Sequence, residues 1–161
     1  MQAAHAIQRP TPGLEERRLR AAFGRFATGV AFVTADVEET PLGLIVSSFA
    51  AVSLEPPLVS ICVGRASMTW QRMRRAGRVT IHILGARHGG FARRAAPAGA
   101  DRFAEPEALR HAITSMECDL EAEHAAGDHW IVVARVRRLR VSADAEPLVY
   151  FAGRFGDFQP H

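Results

Sequence analysis

Residues 116–141 constrain the fold more than any other stretch. In "MECDLEAEH", Met116, Cys118, Leu120 and Ala122 alternate with Glu117, Asp119, Glu121 and Glu123. After "AAGDH" comes "WIVVARVRRLRV", where Val132, Ala134 and Val136 alternate with Arg135 and Arg137. A period of two marks a strand with one face in a core and the other in water. Two such runs around a glycine-containing turn make an antiparallel hairpin. For both apolar sets to face inward, paired residue numbers must sum to an even total. One such register sets Asp119 opposite Arg135 and Glu117 opposite Arg137, and leaves Gly127, Asp128 and His129 in the turn. The charge run is then an ion-paired outer face, not a binding patch.

The rest of the chain supplies more strands. Thr11-Pro12 reads as a helix cap with a first-turn proline, and Leu19, Ala22, Phe23 and Phe26 form one apolar stripe of a helix over about residues 13–27, ended by Thr28-Gly29. Val30–Ala35 is a strand, "DVEETP" a turn, and Leu42 to about Leu54 one long strand closed by Pro56-Pro57. Leu58–Gly64 is the next. Ser67 then caps a short helix with Trp70 and Met73 inward and Gly77 as its stop. "RVTIHIL" is a strand, "GFARRAA" a helix, "PAGADRF" a loop, and "PLVYFAGRF" a last strand. About seven strands without alternating βα units predict a mainly β fold. The expected architecture is an antiparallel sheet closed into a barrel, with two or three helices flanking it.

The chain has 161 residues, enough for one domain with a sizeable core. Residues 1–12 read as a flexible arm without the apolar run of a signal peptide, and 13–158 as the domain. No apolar run approaches the roughly 18 residues of a membrane span, and the expected location is the cytoplasm. All twenty basic side chains are arginine, and the net charge is +3. These arginines are scattered and aromatic residues are few, which argues against a nucleic-acid partner and leaves an anionic small ligand. Cys62 and Cys118 sit in apolar runs as buried, reduced thiols. Seven histidines lack metal-ligand spacing, so no metal is expected. GxSxG, GxGxxG and GKS/T motifs are all missing.

What stands out is "GLIVSSFAAVSLEPPLVSICVG", where Ser47, Ser48 and Ser53 interrupt an apolar run. Buried hydroxyls cost free energy unless they find partners. Bonding to a strand-edge backbone is one answer; a ligand is the other. Downstream, Arg65, Ser67 and Thr69 combine a guanidinium with two hydroxyls, a workable phosphate seat, although capping alone accounts for Ser67.

"LRAAFGRFATGVAFVTA", "GLIVSSFAAVSLEPPLVSICVGRASMTW", "GADRFA", "GDHWIVVARV" and "PLVYFAGRF" stand in the order seen in short-chain flavin reductases, and the chain resembles that family over about residues 17–155. The resemblance implies an FMN-binding split-barrel, usually a homodimer. It implies hydride transfer from NADH or NADPH to FMN or FAD, and release of reduced flavin to a partner monooxygenase. Carried over by motif, Ser47, Ser48 and Ser53 fall against the flavin ring. Arg65, Ser67 and Thr69 fall at the phosphate, and Arg102 at the flavin's tail. His129 falls on the nicotinamide side, seating the nucleotide rather than moving a proton. His82 stands where the family usually has Asn, as another ring-side donor. Ile45 replaces a usual Thr, and Ala104–Ser115 is shorter than usual. The alternative is a flavin-binding split barrel with lost or altered reductase activity, serving another biosynthetic reaction; a third reading is a non-enzymatic interaction module.

Overall fold

The computed structural model describes residues 15–97, 99–103, 106–142 and 146–158. The expected arm, 1–12, and its Thr11-Pro12 cap lie outside them. Among the described residues the elements run α1 (Glu16–Phe23), β1 (Thr28–Gly29), β2 (Ala31–Val37), β3 (Thr40–Val46), β4 (Ala50–Leu54), β5 (Pro57–Gly64), α2 (Met68–Met73), β6 (Arg78–Ile83), α3 (Gly89–Ala95), β7 (Thr114–Ala126), β8 (His129–Val141), β9 (Leu148–Phe151) and β10 (Arg154–Asp157). Seven strands form one antiparallel sheet in the order β3-β2-β6-β7-β8-β5-β4, and β1, β9 and β10 form a small second sheet. The large sheet curls until β3 meets β5, so the expected barrel is present. No helix among the described residues is long and apolar enough to cross a membrane.

Alternation decides which side chains fill the barrel. Val33, Ile61, Ile81 and Val132 point in and are 0–2% exposed. One end is plugged by α2, whose Trp70 and Met73 are as deeply buried. A second apolar cluster lies outside the barrel wall, where Phe32 and Leu84 pack under Phe91 of α3 and Leu148 of β9. Phe32 lies over β3 at a position that has no side chain. A Cβ on Gly43 would stand 2.4 Å from Phe32 Cζ, so a glycine is required there.

The expected long strand, Leu42–Leu54, is two strands. β3 stops at Val46, Ser47–Phe49 belong to neither ladder, and β4 resumes on the opposite edge of the sheet. The Pro-Pro pair does end β4: Leu54 pairs with Pro57 across a two-residue turn, Glu55-Pro56, whose peptide is cis. "DVEETP" contributes only Glu38-Glu39 to its turn, both at positive φ, as a type I′ hairpin demands. "PLVYFAGRF" is a hairpin rather than one strand, with Ala152 and Gly153 at φ +48° and +79° between β9 and β10. Helix α1 is shorter than 13–27, and none of its residues is buried. Phe23 and Phe26, 72% and 77% exposed, have no core to join within one chain.

The β7–β8 hairpin departs from its expected register for an instructive reason. Its turn is the two residues Gly127-Asp128, with Ala126 opposite His129, so His129 opens β8 instead of lying in the turn. A two-residue loop forces an odd total at the tip, whereas the apolar pattern demands an even one further down. Glu121 is bulged out, and the next rungs, Leu120 opposite Ala134 and Asp119 opposite Arg135, fall in the expected register. A second bulge skips Arg137, so Glu117 faces Arg138. Two ion pairs are consequently diagonal, Arg135–Glu121 and Arg137–Asp119, and Arg138–Glu117 lies directly across the ladder. They still form a solvated face.

Candidate functional site

Where the chain passes from β3 to β4, it opens a cleft of about 350 Å³. Ser47, Ser48, Gly64, Ser67 and His129 line it, together with an apolar wall that includes Ile45 and Val63. Three stretches distant in sequence meet here: the serine break after β3, the passage from the end of β5 to the cap of α2, and the start of β8. The size lies at the lower end of the range for small-molecule pockets. Gly64 pairs with His129 across the β5–β8 ladder. A Cβ on Gly64 would meet no atom within 4 Å, so this position leaves open space where any other residue would project a side chain.

The two serines have different jobs. Ser48 Oγ donates to the Cys62 carbonyl at 3.0 Å and accepts from the Cys62 amide at 2.8 Å. It thereby supplies the rung that follows Ala50–Ser60 after the β4 ladder has ended. Its hydroxyl is engaged by backbone, and what Ser48 offers a ligand is its main chain. Ser47 is exposed, and its hydroxyl makes no hydrogen bond among the described residues. Ser53 sits on β4 beside a bulge, opposite Leu58, and does not line the cleft.

Ser67 caps α2 as expected, accepting from the Trp70 amide at 3.2 Å. A hydroxyl that accepts in this way keeps its own proton to donate. Thr69 follows within the first turn of α2, half-buried and outside the cleft lining. Arg65 is exposed; its guanidinium lies 5.1 Å from the centre of the Trp130 ring and donates to the Gly127 carbonyl at 3.3 Å.

His129 is half-exposed, and its Nδ1 lies 2.8 Å from Asp128 Oδ1. That hydrogen bond holds the Asp128 carboxyl below the usual carboxylate range. With Asp128 ionised, Nδ1 is the donor, and Nε2 is left as the nitrogen available to a ligand.

Two further expected residues lie elsewhere. Arg102 donates to the Pro97 carbonyl at 3.0 Å in the loop after α3, outside the cleft. Its Nε is one of two buried side-chain polar atoms without a partner among the described residues; Thr28 Oγ1 is the other. No sequence signal marked Thr28. His82 is on the outer face of the sheet, opposite Phe32 on β2 and Ser115 on β7. It lines a second cleft, of about 480 Å³, with Ser115, Arg110 and Arg140. Its Nε2 is 3.2 Å from Thr34 Oγ1 and its Nδ1 3.1 Å from Ser115 Oγ. Burial first, then the charges of Arg140 and His88, lowers its pKa to about 4, so it is neutral at physiological pH. Alternation accounts for the displacement: Val79 and Ile81 fill the barrel, which turns His82 outward.

Residues 23–159 match the family described as flavin reductase like domain. The FMN reductase (NADH) SmoA of Agrobacterium fabrum is 36% identical, with 98% of each chain covered. The reductase subunit HsaB of a flavin-dependent monooxygenase from Rhodococcus jostii is 31% identical over 91% of this chain and 80% of its own. Among solved structures, the NADH:FAD oxidoreductase SgcE6 of Streptomyces globisporus, in complex with NAD and FAD fragments, superposes with a TM-score of 0.83. It is 31% identical and covers 91% of this chain and 94% of its own.

Proposed function

This chain belongs to the flavin reductase like domain family, and from that premise we infer that it is an NAD(P)H:flavin oxidoreductase, the reductase component of a two-component flavin-dependent monooxygenase. The observation that carries the reading is the cleft itself. It joins an apolar wall to Ser47, Ser67 and His129, and at Gly64 it is kept clear of side chains. Bound flavin supplies the chemistry, accepting a hydride from the reduced nicotinamide. The protein's task is to hold the two rings together, and positioning of this kind needs no acid–base pair.

The residues divide that task. The Ser47 hydroxyl and the main chain of Ser47–Phe49 face the polar edge of the ring, and Ile45 and Val63 its apolar part. Ser67 and Thr69 donate hydroxyl protons to the phosphate, and Arg65 supplies the charge. His129 accepts at Nε2 from the nicotinamide carboxamide. Arg102, with its Nε unpartnered, meets the flavin's tail. His82 enters only if the ligand extends into the second cleft. A volume of about 350 Å³ does not hold two nucleotides, and Phe23 and Phe26 stand uncovered. Both features support a homodimer in which a second copy completes the site. Residues 13–158 form the catalytic domain, and the cytoplasm is its location.

The test is direct. NADH or NADPH with FMN or FAD should lose absorbance at the nicotinamide band on adding the protein, and no oxidation with any pairing refutes the activity. Ser67→Ala with Thr69→Ala should weaken flavin binding. Gly64→Val should do so without lowering the melting temperature; unchanged affinity in both variants refutes the site.

A further inference from the structure

Glu123 lies on the face that sequence alternation reserves for apolar residues. The bulge at Glu121 reverses the parity of β7, so Glu123 pairs with Val132, a residue 0% exposed, and turns into the mouth of the barrel. Its side chain is only 15% exposed. A carboxylate so placed is costly unless it is paired and hydrogen-bonded, and whatever pairs with it is held in place.

We propose that Glu123 is a positioning residue for flavin reduction, clamping the helix that carries Ser67 and Thr69 to the hairpin that carries His129. The inference rests on the function proposed above. Glu123 Oε1 accepts from Trp70 Nε1 at 2.8 Å, and Oε2 pairs with the Arg74 guanidinium. Trp70 is in α2, and Arg74 opens the 3-10 turn that continues it. Arg65, at the other end of the helix, is tied to the same hairpin: its amide donates to the Asp128 carbonyl at 2.9 Å and its side chain to Gly127. The Trp130 ring bridges the two ends, with the Arg65 guanidinium 5.1 Å and the Arg74 guanidinium 5.7 Å from its centre. One attachment would leave α2 free to swing about Arg65. Two fix its rotation, and with it the placing of Ser67 and Thr69 relative to His129.

Glu123→Ala, Glu123→Gln and Asp119→Ala test this. The last breaks an arginine–carboxylate pair of β7 on the solvated face and serves as a control. Flavin Kd is read by fluorescence quenching, and nucleotide KM and kcat by nicotinamide absorbance. Glu123→Ala should raise flavin Kd and nucleotide KM together by about tenfold, the weight of one hydrogen bond to a charged group, with kcat nearly unchanged. Glu123→Gln keeps an acceptor for Trp70 and should recover flavin Kd to within about threefold of the parent. Asp119→Ala should match the parent. Wild-type Kd and KM in folded Glu123→Ala, or a shift confined to one constant, overturns the proposal. If Glu123→Ala does not fold, Glu123→Gln decides: a small joint rise in both constants supports the clamp, and none refutes it. A parent protein that binds no flavin refutes the function and this inference with it; a parent that reduces flavin, with indifferent variants, refutes this inference alone.

Discussion

Replacing Ser48 with alanine should damage the fold more than the ligand site, although the residue lies in the motif most associated with flavin. Its hydroxyl holds both polar groups of the Cys62 backbone, at 2.8 and 3.0 Å. β4 pairing has ended at Ala50, so no ladder partner waits to replace it. Each bond contributes about 1 kcal/mol net, and a stranded group that stays dry costs about 1–3 kcal/mol. Because this stretch is only half-buried, water relieves part of that cost, and the sum is about 2 kcal/mol. For a domain of this size that lowers Tm by roughly 4–8 °C. Ser47→Ala removes an exposed hydroxyl and should change stability by less than about 0.5 kcal/mol, while weakening flavin binding. Thermal melts by circular dichroism, with a urea titration to confirm an unchanged m-value, check the first claim, and flavin titration checks the second. The reasoning fails if Ser48→Ala melts with the parent, or if the two variants lose equal stability.

His82 should make stability depend on pH. Its folded pKa of about 4 lies below the ordinary histidine value of 6.5, so between these values the unfolded chain binds a proton that the folded one does not. Its contribution is complete above pH 6.5 and is lost as pH falls toward 4; His82→Asn should flatten that slope in urea titrations. If the same variant alters flavin affinity more than about twofold, beyond the few tenths of a kcal/mol typical of an uninvolved surface site, the ligand reaches the second cleft. Burial, aided by Asp119, pushes the Cys118 thiol up to about 11. A thiol reagent at pH 8 should therefore modify Cys62 in the native protein and Cys118 only after denaturation; rapid labelling of both refutes the burial. Glu39 sits at φ +62°, a conformation costing a non-glycine residue about 1–2 kcal/mol. Glu39→Gly should raise stability by about 0.5–1 kcal/mol after the entropy of glycine is deducted, measured by thermal melts.

The barrel is legible because period-two alternation is a local signal, and it holds in β5, β6 and the middle of β7–β8; β2 is buried on both faces and reads as strand from its apolar run alone. Alternation fails where two local demands conflict. The Gly127-Asp128 turn sets one parity and the Val132-Ala134-Val136 face another, and the bulge that reconciles them has no residue signature. Alternation alone therefore places Glu123 among the solvent-facing acids. Helix α1 does form, but its apolar stripe stays exposed because a single chain provides nothing to cover it. Ser47, Ser67 and His129 line one cleft. The roles of Ser48 and His82 depend on which neighbour reaches their polar atoms first, and that is set by strand register and not by motif.

The serine break also shows why barrel closure and ligand cleft coincide. β3 and β4 are consecutive in sequence yet occupy opposite edges of one sheet. The chain between them must cross the seam, and its peptide groups lose the ladder on both sides. Valine at position 48 would suit an apolar strand but could bond neither the amide nor the carbonyl of Cys62. Serine there extends the seam by one rung, and serine at 47 leaves a free hydroxyl beside it. The uncovered main chain of Ser47–Phe49 is then polar surface next to the apolar Ile45 and Val63. A flat heterocycle with one polar and one apolar edge would satisfy both, so the break that lets the sheet close is also the one that opens the cleft.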